Sequence, residues 1–305
     1  TVNASGGAIN AAVTNQGGGT FNVTGTVTGN NNFTNTGAGT KLVVNGSGNY
    51  SGLQTLTNAA GAAITLDAGG TLSMKTFDQT GGSATTAGTF SAGTGGANIT
   101  GGTFGVTDGI VTAGGAGLTN TGATVNASGG AINTAVTNQG GGTFNVTGLV
   151  TGNSTFLNTG AGTKLVLTGG NYSGLTTLTN AAGATITVDA TSKLSMQTFS
   201  QTGGSTDNAG GMTVLGAATV SGGTLGNTGT FFADTFAQSA GATTTSVTFT
   251  AANGATLTGG TFDITAGTVS AGGATGLTNN GATVTASGGA INAAVTNKSG
   301  TFNVT

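Results

Sequence analysis

The sequence predicts an all-β protein, a parallel β-solenoid of about 15 coils with ~20 residues and about three short strands in each coil. Three observations carry that prediction. The chain contains a repeat within a repeat, its segments alternate apolar and polar residues with the period of a strand, and its 63 glycines recur as corners in a chain without Pro.

The large repeat is visible by self-comparison. TVNASGGAINAAVTNQGGGTFNVTG begins at Thr1, TVNASGGAINTAVTNQGGGTFNVTG at Thr124, and TVTASGGAINAAVTNKSGTFNVT at Thr283. The chain therefore reads as one solenoid segment, 1–305, made of a repeat of about six coils (1–123), a repeat of about eight (124–282) and the start of a third (283–305). The second repeat is 36 residues longer than the first, yet both its flanks remain aligned. A solenoid accepts such a length as two added coils, whereas a β-sandwich has no place for self-similar layers.

A smaller period runs inside both repeats. A marker of the form apolar-x-amide, usually followed by Gly, falls at Asn15, Asn35, Asn58, Gln79, Asn120, Asn138, Asn158, Asn180, Gln201, Gln238, Asn279 and Asn297. Apolar-x-Gly-Gly fills the gaps at Gly101, Gly222 and Gly259, and the steps of the completed series close on both large repeats. These fifteen positions are read as one structural turn ladder. Asn and Gly share a position if the corner needs a left-handed backbone, which both tolerate. Gln lacks that tolerance, so its presence points to side-chain amides stacked from coil to coil, each donating to the next.

Between markers lie the strands: TFNVT (20–24), KLVVN (41–45), AITLD (63–67), TFGVT (103–107), TFNVT (143–147), TITVD (185–189) and TFDIT (261–265). Each alternates apolar and polar residues, the signature of a strand with one buried face, and each is rich in strand-favouring Thr, Val, Ile and Phe. No segment sustains helical spacing, and Gly is unfavourable by ~1 kcal/mol at each helical position. The absence of Pro suits a backbone in which nearly every N–H donates to a neighbouring coil. At about 4.8 Å per coil the array would be roughly 70 Å long.

Composition narrows function by exclusion. Only 4% of residues are charged, all of them Lys or Asp, and Cys, His, Trp, Arg and Glu are missing. General acid-base catalysis, redox chemistry and thiolate metal cages lose their raw materials. A formal net charge of −2 provides no electrostatic footprint for nucleic acid or a membrane surface. No apolar run approaches the ~20 residues of a spanning helix, so no membrane insertion of this segment is expected. Without an initiating Met or a signal peptide before Thr1, the chain reads as a mature or excised piece.

GTFNVTG, LTNAAGATITVDA (178–190), TLTGGTFDIT (256–265) and the empty Cys, Trp and Pro columns resemble the passenger regions of Gram-negative autotransporters and filamentous-haemagglutinin-like adhesins. The resemblance covers the whole chain through composition and period. It implies a right-handed β-helix exported through the outer membrane to the cell surface, used for adhesion, aggregation or biofilm. The expected function is a non-enzymatic, extracellular structural protein. Expected partners are a host or abiotic surface or further copies of the chain, assembled end to end or laterally, with no cofactor. The array starts and stops within the same repeat and shows no polar cap, which suggests continuation of the chain or stacking of separate chains into a filament.

Other readings are weaker. A carbohydrate-active β-helix enzyme would need clustered carboxylates, and Ca²⁺ alone takes ~6–8 oxygen ligands, whereas the Asp residues here are scattered. Asp67 and Asp189 occupy equivalent places, as do Lys41 and Lys164, consistent with solvent-facing charges. The Asn-x-Ser/Thr sequences follow from composition. Flat Thr arrays on solenoids are also a platform for ice binding, but Thr-x-Thr returns at no one phase of every coil. No catalytic, cofactor or metal residue is assigned.

Overall fold

The computed structural model describes all residues, 1–305. It contains strands and no helix, and it is a parallel β-solenoid of about 15 turns. The chain forms two compact units, Thr1–Ser154 and Thr155–Thr305, whose boundary falls inside the second long repeat rather than at its start.

Within each unit a coil supplies three strand segments in succession, and each stacks in parallel on its counterpart one coil later. The first face of unit 1 is built from Thr20, Phe21, Asn22 and Val23 over Lys41–Val44, then Ala63–Leu66, then 83–86, 103–106, Thr124–Ala127 and Thr143–Val146. The second face begins at 6–9 and continues through 26–29, 49–53, 71–74, 89–92 and Ile110–Ala113. The third runs through Val13–Asn15, Phe33–Asn35, 55–58, 76–79, 97–99 and Leu118–Thr121. In unit 2 the first face follows the same plan from Lys164–Leu167 and Thr185–Val188 to Thr261–Ile264. Stacked partners on the first face are 18 to 22 residues apart, the coil length read from the markers.

Alternation explains the interior. In KLVV the side chains of Leu42 and Val44 are buried while Lys41 is exposed, and TITV buries Ile186 and Val188 in the same way. A side-chain period of two and one backbone bond per neighbouring residue make every coil a thin slab, stabilised mainly by the slabs above and below. Aromatic side chains form clusters within the column. Phe21, Phe33 and Tyr50 pack with ring centroids 5.2–6.1 Å apart, Phe77, Phe90 and Phe104 at 5.0–5.9 Å, and Phe249 touches Phe231, Phe236 and Phe262 at 4.8–5.3 Å.

The corners are tight. Gly82 and Gly204 occupy equivalent turns with φ of +63° and +62°, where a Cβ would meet the carbonyl oxygens of the preceding coil, Ala62 and Ala59 in one case and Ala184 and Ala181 in the other. Only glycine combines that backbone region with that approach.

Candidate functional site: an interrupted amide ladder

The marker residues Asn35, Asn58, Gln79, Asn120, Asn138, Asn158, Asn180, Gln201, Gln238 and Asn279 are buried and point inward from the third face. The strand puts them there: in Val-Thr-Asn and Phe-Thr-Asn the first and third residues share the inner face and Thr faces out. Asn15, in the first coil, is partly exposed, and Asn297, in the last, is exposed.

In unit 1 the Asn15 amide nitrogen donates to Asn35 Oδ1 at 2.9 Å, and Asn35 donates to Asn58 Oδ1 at 3.1 Å. Asn35 also donates to the Ala63 carbonyl at 2.8 Å, so one buried amide holds the next coil at two points. Asn120 donates to Asn138 Oδ1 at 2.8 Å. In unit 2 Asn158 donates to Asn180 Oδ1 at 3.1 Å, Asn180 to Gln201 Oε1 at 3.3 Å, and Asn279 to Asn297 Oδ1 at 2.9 Å. Every one of these bonds runs from a coil to the next one along the chain.

The strand register displaces three of the fifteen positions. Gln79 stacks on Ile99 and Ile99 on Asn120, so Ile99 and not Gly101 stands in the column. Val220 likewise stands between Gln201 and Gln238, and Leu257 between Gln238 and Asn279, displacing Gly222 and Gly259. The three glycines lie two residues further on. A Cβ on Gly101, Gly222 or Gly259 would collide with the carbonyl of Thr80, Thr202 or Ser239 in the preceding coil. Close approach of backbones requires them, and left-handed geometry does not: no non-glycine residue has positive φ, so the ladder asparagines are ordinary strand residues. The shared tolerance of Asn and Gly for a left-handed turn is therefore not the reason for the pattern.

Interruptions leave a chemical trace. The donor that should come from the column position before Asn120 is missing because Ile99 has none, and Asn120 Oδ1 is buried without a partner. Gln79 Oε1 is orphaned too, for a different reason: Asn58 precedes it in the column, but the Asn58 amide donates to the Ser83 carbonyl at 2.9 Å. In unit 2 the corresponding Gln201 Oε1 accepts from Thr206 Oγ1 at 2.6 Å, and Gln238 Oε1 from Thr243 Oγ1 at 2.7 Å. The hydroxyl five residues after Gln is absent in unit 1, where that residue is Ala84.

A second ladder escaped the marker series. On the first face of unit 2, buried Asn208 donates to Asn227 Oδ1 at 2.8 Å and Asn227 to Thr245 Oγ1 at 3.0 Å. Leu225-Gly-Asn227-Thr-Gly carries the same apolar-x-Asn signal, but its phase within the coil differs from that of the first ladder.

Outward groups are dispersed. Asp67, Lys41 and Lys164 are exposed, and Asp189 is half-buried. Asp189 accepts from Ser192 Oγ at 2.6 Å, from Thr191 N and Oγ1 at 3.0 Å each, and from Gly169 N at 3.0 Å. These donors, the Ser192 hydroxyl first, hold its carboxyl below the usual carboxylate value. Surface pairs such as Asn98 with Asp78 at 2.9 Å and Asn22 with Asn3 at 2.9 Å tie coils from outside. No three His, Cys, Asp or Glu side chains gather where they could hold a metal ion, and no helix is long and apolar enough to cross a membrane. The arrangement as a whole is one of neutral amides and hydroxyls that link coils. Compared with known proteins, the chain matches no family model, no curated protein and no solved structure, so the β-solenoid fold is what places it.

Proposed function

We propose that this chain is a non-enzymatic structural segment of an extracellular surface fibre or adhesin, one that presents repeated polar faces for attachment, aggregation or biofilm formation. The observation that carries this reading is the buried amide column: wherever an amide stands in it, the side chain is used in joining its coil to the next, the construction of an axial scaffold. The sequence resemblance to Gram-negative passenger regions supports the same reading and suggests export across an outer membrane. Outward positions repeat with the coil and carry mostly Thr, Ser and Asn, so a weak contact made by one coil is available to its neighbours, and multivalency raises the strength of the whole.

The test is adhesion by the chain itself. Beads coated with residues 1–305 should stick to cells, polymer particles or one another far more than beads coated with an unrelated neutral protein. Beads that adhere to nothing would refute the reading. Sedimentation of the free chain as long polymers without any added surface would favour a self-assembling matrix subunit instead.

A further inference from the structure

On the second face of unit 1, four successive coils turn outward the pairs Thr26 and Thr28, Asn49 and Ser51, Thr71 and Ser73, and Thr89 and Ser91. Their inward neighbours Val27, Tyr50, Leu72 and Phe90 are buried and anchor the sheet beneath. Thr26 stacks on Asn49, Asn49 on Thr71 and Thr71 on Thr89, while Ser73 stacks on Ser91, with one register shift after Tyr50. Seven of the eight outward side chains are hydroxyls, and none of those hydroxyls is used in a hydrogen bond within the protein. Outward hydroxyls elsewhere are often engaged: Thr177 and Thr198 bond each other at 2.9 Å, and Thr107 bonds the Thr86 carbonyl at 3.2 Å.

The patch also lacks charge. Lys75, two residues beyond Ser73, lies at its margin, whereas the first face carries Lys41 and the third Asp78 at outward positions among the stacked strands. On the second face of unit 2 the corresponding rows are broken by Lys193, Gly211 and Phe232. The second-face strands between residues 26 and 91 thus form a neutral lattice of free hydroxyls, interrupted at Asn49, whose amide oxygen is buried, with spacings of about 4.8 Å from coil to coil and about 6.7 Å along each strand.

We infer that this face binds an ordered, uncharged polysaccharide surface, which deepens the adhesive reading above and rests on it. The chemistry selects the partner. A protein interface needs a central apolar or aromatic anchor, which these eight positions lack. Nucleic acid and anionic lipid need clustered Lys or Arg. A neutral array of sugar hydroxyls complements the patch in charge and in hydrogen-bonding capacity, since each Ser or Thr hydroxyl rotates to donate or to accept. Each contact is weak in water, so binding depends on many being made together by a partner that is itself regular. Ser at 51, 73 and 91 lacks the methyl group of Thr, which keeps this row fully polar.

The experiment measures retention of residues 1–305 on microcrystalline cellulose and on particulate chitin, with soluble oligosaccharides of the same sugars as competitors. The parent should bind at least one of the solids, and the short oligosaccharides should not displace it. A variant combining Thr71→Val, Ser73→Ala, Thr89→Val and Ser91→Ala should lose at least tenfold in bound fraction. A control with Thr65→Val and Thr85→Val on the first face should retain binding. Circular dichroism and melting of each variant establish that it is folded, and the single change Ser73→Lys provides a second, charge-based disruption. Retention of binding by both second-face variants overturns the inference and leaves the adhesive reading standing. So does adhesion of the parent to other surfaces but to neither polysaccharide. Threonine-dependent shaping of ice crystals without polysaccharide binding overturns it in favour of frozen water as the lattice. Adhesion to nothing at all removes both readings.

Discussion

Thr243 makes the energetic role of the ladder measurable. Its hydroxyl donates to Gln238 Oε1 at 2.7 Å, and both residues are at most 1% exposed. In Thr243→Val the shape is kept and the donor is lost, leaving a buried amide oxygen unpaired at about 1–3 kcal/mol. The added methyl returns about 0.8 kcal/mol through burial, so the net loss is about 0.2–2.2 kcal/mol, or about 1 kcal/mol at the middle of that range. A solenoid need not unfold as one unit, so the assay is native-state hydrogen exchange of backbone amides in 236–264, where the coil on each side of Gln238 is read separately. The expected acceleration is roughly fivefold, with a ceiling of about fortyfold. Thr206→Val should cause less, because Gln201 Oε1 keeps the Asn180 donor at 3.3 Å. The reciprocal change, Ala84→Thr, offers a hydroxyl to the orphaned Gln79 Oε1 and should slow exchange around residues 79–104, with a net gain of about 0.5–1.5 kcal/mol. Exchange in Thr243→Val within twofold of the parent would refute the reasoning. An equal effect from Thr244→Val, whose side chain is exposed, would refute it as well.

Further perturbations separate the other contributions. Ile99→Asn places an amide between Gln79 and Asn120, so in urea unfolding it should be less harmful than Ile64→Asn, which has no amide neighbours in its column, by about 2 kcal/mol. Gly204→Ala should destabilise unit 2 by more than about 2 kcal/mol, read by the same method, because left-handed backbone and a carbonyl collision act together. Burial pushes the Tyr50 phenol up to about 12 from 10.0, so the folded state keeps a proton that the unfolded state gives up, and stability should fall as pH rises from 10 towards 12. Tyr50→Phe should flatten that slope and, since the Tyr50 hydroxyl has no partner, should be neutral or stabilising near pH 7. For Asp189 the sign is opposite: its lowered pKa stabilises the folded turn above the ordinary carboxylate value, and this is lost as pH falls through the folded value, so Asp189→Asn should remove an acid-dependent change in exchange at Thr191 and Ser192.

Strand period, coil length, the all-β class and twelve amide positions of the column were legible in the chain, because each rests on short-range pattern. Two inward residues flanking an outward one recur in every coil, whatever lies above or below. Register was less legible. Coils vary from 18 to 23 residues, so a position two residues away satisfies the spacing equally well, and Gly101, Gly222 and Gly259 were drawn into the column in place of Ile99, Val220 and Leu257. Asn208 and Asn227 carried the right local signal at another phase, and phase is set by which coil a strand rests on.

By itself, then, the sequence determined a stack of short, half-buried strands with glycine corners and with few groups capable of acid-base or metal chemistry. Tertiary structure decided which side chains meet. Stacking at a fixed spacing turns neighbours about twenty residues apart into hydrogen-bond partners, leaves Gln79 and Asn120 with unpaired oxygens beside Ile99, and sets the free hydroxyls of Thr26 through Ser91 side by side on one neutral face. Those relations belong to the register between coils, and the backbone ladder that sets it forms only when the coils pack.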